Sequence, residues 1–155
     1  MLCEHILVEE KEEKTKMITR TYSELIRIPT FEERFEYLKL NGIVGESTFG
    51  FDRYLNQSLY HQSKEWKQTR AKVIVRDNGC DLGIEDRKIG YTIIVHHMNP
   101  ISVEDIENRN PSIFDPEFLI CVSIDTHNAI HFGNSDLLVK LPTERRPGDT
   151  CPWRV

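Results

Sequence analysis

Residues 95–101 read VHHMNPI and residues 126–131 read THNAIH, so four of the six histidines of the chain fall in two short segments. The first segment continues the β-branched and aromatic run of residues 91–95, which is typical of a strand. The second lies in a helical pattern that ends at Gly133, a residue type that commonly follows the last turn of a helix. The sequence therefore predicts a strand and a helix that each carry two histidines.

The spacing of these histidines indicates a metal site. His127 and His131 are four residues apart, so on a helix both imidazoles lie on one face and can share one ion. A third ligand must come from another part of the chain. His96 and His97 are consecutive at the end of a strand, so one can face the metal while the other faces a substrate. Either pair alone also fits ordinary core or surface histidines, and the combination of the two favours the metal site.

The regions around these segments predict a mixed fold. Thr30 and Glu33 match a capping box, and the helix that they begin stops at Asn41-Gly42. Further helices are predicted at residues 52–60, 63–76, 103–108 and 125–132, the last with Asp125 or Thr126 as its N-cap. Strands are predicted at residues 80–82, 91–96 and 118–123. We expect a single α+β domain with an N-terminal helical extension.

Length and composition are typical of one soluble globular domain. The chain has 155 residues, of which 39% are hydrophobic and 29% charged. No apolar stretch approaches the roughly 20 residues that span a bilayer, and no signal peptide is recognisable. The four cysteines form no CxxC pair, so we expect reduced thiols in a cytoplasm, with Cys80 and Cys121 as small buried hydrophobes.

Charge is distributed unevenly along the chain. The net charge is −5, but residues 1–13 alone contain five glutamates and one lysine. Residues 64–77, in contrast, carry five cationic and two anionic side chains. This contrast is compatible with modest, salt-sensitive binding to a polyanion. If that polyanion is DNA, Lys72 and Arg76 are the first candidates for contacts with it, although a solvated helix face explains them as well.

The histidine segments, together with FLI at residues 118–120, resemble the ββα-metal (His-Me finger) core of HNH endonucleases. The doubled histidine followed by HxxxH is similar to the variant found in bacteriocin DNases of the colicin and pyocin type. Residues 53–154 also resemble small HNH proteins of bacteriophages and prophages. That similarity includes YLNQ at 54–57, VRDNGCDLG at 75–83, ERRP at 144–147 and CPWR at 151–154.

The resemblance implies a division of roles among the histidines. His97 would be the general base, and His96, His127 and His131 would hold one divalent ion, with zinc, nickel, manganese or magnesium as candidates. The implied activity is hydrolysis of DNA to 5′-phosphate and 3′-hydroxyl ends. A phage terminase or another packaging protein is the implied partner, with no membrane involved, and the bacterial cytoplasm the implied location.

The residue pattern and the resemblance together predict the domain layout. Residues 1–20 would be a charged arm, 21–62 a helical extension, 63–141 the HNH core and 142–155 an irregular tail packed on that core.

One position departs from the family pattern. Phe118 stands where the family has a central asparagine that ties the loop between the strands and helps to aim the base. Asp115, Asn99 or Asn128 can take over that role, or packing can fix the loop. Because of this departure an alternative stays open, in which the protein is a non-catalytic DNA-binding or packaging accessory. Its metal would then be structural, with Asp125 or Cys121 as the fourth ligand. Hydrolysis of RNA or of other phosphodiesters is a third hypothesis.

Overall fold

The computed structural model describes residues 18–40 and 61–138. The helix predicted at residues 52–60, most of the N-terminal arm and the C-terminal tail lie outside these ranges. Within the described ranges the chain forms five α-helices and a two-stranded antiparallel sheet. The α+β class predicted from the sequence is therefore confirmed.

Three helices precede the first strand in the described ranges, and helices and strands alternate after it. The helices are α1 (Tyr22–Leu25), α2 (Phe31–Leu38), α3 (Lys64–Arg76), α4 (Val103–Glu107) and α5 (Ile124–Phe132). The strands are β1 (Ile94–His97) and β2 (Leu119–Val122). Short 3₁₀ turns lie at Asp81–Gly83, Pro111–Phe114, Pro116–Phe118 and Ser135–Leu137.

The ends of the helices follow their capping residues. Thr30 caps α2 as predicted, because its Oγ1 accepts a hydrogen bond from the Glu33 backbone N at 3.3 Å and donates to the Glu33 carboxylate at 2.8 Å. The N-cap predicted for α5 was wrong. Ser123 caps this helix with an extended backbone, and its Oγ accepts from the Thr126 backbone N at 3.2 Å. The helix therefore begins before Asp125.

Both faces of the sheet are covered, because side chains alternate along the strands. On one face, Ile120 and Val122 pack with residues of α2 and α5 in one buried cluster. On the other face, Leu119 and Cys121 pack with residues of α3. This explains why β2 reads as a continuous apolar run. The buried residues of α1 and α2 thus belong to the same core as α5.

The open edge of β2 is closed by side chains. The carbonyl of Leu119 accepts from Arg76 Nη2 at 2.6 Å, and the backbone N of Cys121 donates to Asp77 at 2.8 Å. Two residues further on, the Ser123 backbone N donates to Asp81 at 3.2 Å. These bonds satisfy an edge that would otherwise present unpaired backbone groups.

The strand predicted at residues 80–82 was wrong. Only Cys80 makes a strand-like bridge, with Lys88, and the chain then forms a 3₁₀ turn. Leu82 and Gly83 both have a positive φ, at 52° and 67°, which no strand contains. The turn directs the buried Asp81 carboxylate towards Ser123 and Thr126, whose Oγ1 donates to it at 2.6 Å. Asp81 therefore positions the start of α5.

Substitution of Asp81 by alanine is expected to destabilise the fold. It leaves the Ser123 backbone N and the buried Thr126 hydroxyl without their acceptor, and each such loss costs about 1–3 kcal/mol. We expect a decrease of about 3 kcal/mol or more in the free energy of unfolding, measured by urea denaturation. Asp86→Ala removes an exposed carboxylate of the same turn region and serves as the control. Equal stability of the two variants would contradict this role.

Candidate metal centre

Three imidazoles meet between β1 and α5. His127 and His131 lie one turn apart on α5, with ring centroids 4.3 Å apart. His96 of β1 approaches both from the sheet, with centroid distances of 5.3 Å to His127 and 5.0 Å to His131. One nitrogen from each ring lies within 4.8 Å of the others. This group can hold a metal ion, and it consists of the three residues that were predicted from the sequence as metal ligands.

The fold fixes both sides of this centre. Ser123 and Gly133, which has a φ of 64°, cap the two ends of α5. The backbone N of Leu40, just beyond α2, donates to the Ile130 carbonyl at 2.8 Å and ties α5 to the N-terminal helices. On the other side, His96 pairs with Ile120 across the sheet. The three ligand candidates therefore sit on rigid elements.

The donor atoms fit a cation. The Nε2 atoms of His127 and His131 lie 3.1 Å apart, close to the roughly 3.3 Å between two nitrogens of a tetrahedral ion bound at about 2.05 Å. His96 Nε2 and His131 Nδ1 are buried and have no hydrogen-bond partner among the described residues. A buried polar atom left unpaired costs about 1–3 kcal/mol, which a coordinated ion would offset at His96.

Burial keeps these imidazoles neutral. It lowers the pKa of His96 well below the ordinary value, and the neighbouring His127 and His131 lower this pKa further. Burial lowers the pKa of His127, and it lowers that of His131 to about 4, with a contribution from His127. Metal coordination requires the neutral ring, so all three residues are ready to bind an ion at neutral pH.

The metal-free protein is expected to lose stability as the pH falls below about 6.5. The pKa of His131 in the folded state, about 4, lies below the ordinary 6.5, so this ring takes up a proton on unfolding in the window between them. Each such imidazole lowers the free energy of unfolding by up to about 1.4 kcal/mol per pH unit.

Urea denaturation in the presence of a chelator, at intervals between pH 7 and pH 4, measures this slope. His131→Asn should make the slope shallower than that of the wild type. An identical slope in the variant would show that His131 does not contribute to the pH dependence of stability.

His97 lies on the opposite face of the sheet from His96, as the strand periodicity predicted. Its Nε2 lies 2.9 Å from the Ile113 carbonyl, and its ring stacks on the Trp66 indole with centroids 5.6 Å apart and planes 16° apart. Burial lowers the pKa of His97 to about 4, although the bond to the Ile113 carbonyl raises it. A carbonyl only accepts, so Nε2 carries the proton and the basic lone pair is on Nδ1.

A cleft of about 390 Å³ adjoins His97. Its walls combine apolar side chains with a few polar ones, including Arg20, Asn99, Pro100, Ile101, Ser112 and Phe118. His97 is only half-buried, so the cleft gives a molecule from solvent access to its ring.

Sequence reasoning missed Arg20 and placed it in the N-terminal arm. The Asn99 side chain holds the Arg20 backbone by two hydrogen bonds, 2.7 Å to its N and 2.9 Å to its carbonyl. The Arg20 guanidinium donates to the carbonyls of Tyr37 at 2.8 Å and Lys39 at 3.5 Å. Its charge also contributes to the lowered pKa of His96. No local pattern signals this contact between residues 79 positions apart.

The loop between the strands is fixed without an asparagine at position 118. The Asp105 carboxylate accepts from the Ser102 backbone N and from Asn110 Nδ2, both at 2.9 Å. Asp115 accepts from the Glu117 backbone N at 2.9 Å and shapes the turn that ends at Phe118. Capping bonds and prolines therefore hold this loop.

The two DNA-contact candidates differ in their surroundings. Lys72 is exposed on α3. Arg76 is paired with Asp77 at 2.8 Å, donates to the Pro116 carbonyl at 2.6 Å, and lies 3.5 Å from the centre of the Tyr22 ring. Arg76 therefore fastens α3 to α1 and β2, and its role in DNA contact stays a prediction.

The two candidates for a fourth metal ligand lie elsewhere. Cys121 is buried with the α3 side of the sheet, away from His96, and burial with the nearby Asp77 raises its pKa to about 12. Asp125 accepts a hydrogen bond from the Tyr91 hydroxyl at 2.8 Å. Neither belongs to the group of ligand atoms around the three histidines.

No protein-family model, curated protein or solved structure matches the chain. None of the helices within residues 18–40 and 61–138 has the length and apolar character needed to cross a membrane.

Proposed function

We propose that the protein is a metal-dependent DNA endonuclease of the HNH type, built on a ββα-metal core. The observation that carries this proposal is the convergence of His96, His127 and His131 next to a fourth histidine, His97, at the end of the same strand. The order of β1, β2 and α5 along the chain agrees with that core.

The roles of the residues follow from their surroundings. His96, His127 and His131 would hold one divalent ion, and their nitrogen donors suit zinc, nickel or manganese better than magnesium. When bound, such an ion would supply Lewis acidity at a phosphate oxygen and at the leaving oxygen. His97 ends β1, so a phosphodiester bound at this end of the sheet would meet both members of the histidine pair.

In the proposed reaction, His97 Nδ1 accepts a proton from a water molecule, and Nε2 keeps its bond to the Ile113 carbonyl. The water oxygen forms a bond to phosphorus, and the bond from phosphorus to O3′ breaks. The electron pair leaves with O3′, which takes a proton from solvent. The products are a 3′-hydroxyl and a 5′-phosphate.

The number of candidate ligands among the described residues favours catalysis over a structural metal. A closed zinc shell needs four protein ligands, and the described residues offer three. Cys121 faces the other side of the sheet, and Asp125 is bound to Tyr91. The non-catalytic accessory therefore has less support from this geometry.

The remaining parts of the proposal concern partners and place. Exposed lysines of α3, namely Lys64, Lys67 and Lys72, would contact the phosphate backbone near the core. A phage packaging protein such as a terminase is the proposed protein partner, and the bacterial cytoplasm the proposed location. These assignments rest on the resemblance of the sequence to phage proteins.

The chemistry of the ends tests the proposal. Supercoiled plasmid nicked by the protein should be resealed by DNA ligase without any repair of the ends, because ligase requires a 5′-phosphate and a 3′-hydroxyl. Nicks that become sealable only after phosphatase and kinase treatment would contradict the mechanism. A single-stranded RNA of matched length, incubated in parallel, tests the RNA hypothesis. Faster cleavage of the RNA than of the plasmid would show that RNA, and not DNA, is the substrate.

A further inference from the structure

We propose that Trp66 is a positioning residue that fixes the plane of the His97 imidazole for proton abstraction. This inference rests on the proposed function of His97 as the general base. It concerns the task that Phe118 cannot perform, since a phenyl ring has no hydrogen-bonding group with which to orient a neighbouring histidine.

The hydrogen bond and the stacked ring restrain His97 in different ways. The bond from Nε2 to the Ile113 carbonyl fixes the position of that nitrogen, whereas contact with the face of the ring restrains its tilt about the line between the two atoms. The Trp66 indole lies nearly parallel to the imidazole, with 5.6 Å between the centroids, which is within the range of offset stacking. Stacking on this large flat surface removes the tilt and sets the direction of Nδ1.

Trp66 is itself held firmly. Its side chain is 4% exposed and lies in the buried cluster that includes Val73 and Leu119. Its backbone N is bonded to Ser63 Oγ at the start of α3. The edge of the His61 ring approaches the indole, with centroids 5.8 Å apart. A base must be held near its productive geometry, and small misplacements cost about 100-fold in rate.

Steady-state nicking kinetics of three variants test this role. Trp66→Leu removes the aromatic face, and we expect kcat to fall about 10- to 100-fold with KM and metal content unchanged. Trp66→Phe keeps an aromatic face and should retain kcat within about threefold of the wild type. Val73→Ala is the matched control, because it loosens the same buried cluster without removing the stacked ring, and its kcat should stay at the wild-type level.

The outcomes separate this inference from the proposed function. Wild-type kcat in a folded Trp66→Leu variant, or an equal loss in Val73→Ala, overturns the positioning role while the nuclease stands. Absence of cleavage by the wild type overturns the proposed function itself. If Trp66→Leu does not fold, Trp66→Met decides, since it fills a similar space without an aromatic face, and it should show the same loss of kcat.

Discussion

The His97→Ala variant is expected to nick plasmid DNA at the rate of the metal-containing buffer, while it binds as much metal as the wild type. General-base catalysis contributes about 10²- to 10⁴-fold, so a loss of at least 100-fold is expected. Metal content should not change, because His97 lies on the other side of β1 from the three candidate ligands and contacts Trp66 and the Ile113 carbonyl.

Two measurements on the same preparation check this result, the nicking rate and the metal stoichiometry. Loss of the bound metal in His97→Ala would assign His97 to the ligand set. Retention of the wild-type nicking rate would remove it from the mechanism.

The second large effect concerns the two candidate ligands on α5, His127 and His131. His127→Ala and His131→Ala should each weaken metal binding by more than about 100-fold, because even residues that only orient a ligand contribute 10- to 100-fold. Nicking should fall with the loss of metal. The geometry behind this expectation is the 3.1 Å separation of the two Nε2 atoms on one face of α5.

His61→Ala is the matched control for this experiment, because it removes an exposed imidazole outside the group. The control should keep the metal. A double variant of His127 and His131 that still binds one ion per chain would show that the site is elsewhere.

The parts of the site that sequence reasoning predicted are those set by local periodicity. The helical repeat placed His127 and His131 on one face, and the strand repeat placed His96 and His97 on opposite faces. Both expectations are confirmed by the contacts of these rings. The capping pattern of Thr30 and Glu33 was equally local, and α2 begins there.

The parts that could not be predicted depend on contacts between distant segments. Residues 80–82 were predicted as a strand but form a turn. In this turn the Asp81 carboxylate accepts hydrogen bonds from Ser123 and Thr126 at the start of α5, more than 40 residues away. Arg20 acts on His96 through its charge, and Trp66 stacks on His97; both residues come near the histidines only through the tertiary fold. Neither has a spacing or a neighbouring motif that distinguishes it from an ordinary arm or core residue.

Nicking of supercoiled plasmid across a series of metal ions tests the central claim most directly. Wild-type protein, freed of metal and then supplied with zinc, nickel, manganese or magnesium, should nick the plasmid with at least one of them, and His97→Ala should show only background. If the wild type binds metal and DNA, yet no ion raises cleavage above the His97→Ala background, the protein is not a nuclease of this kind.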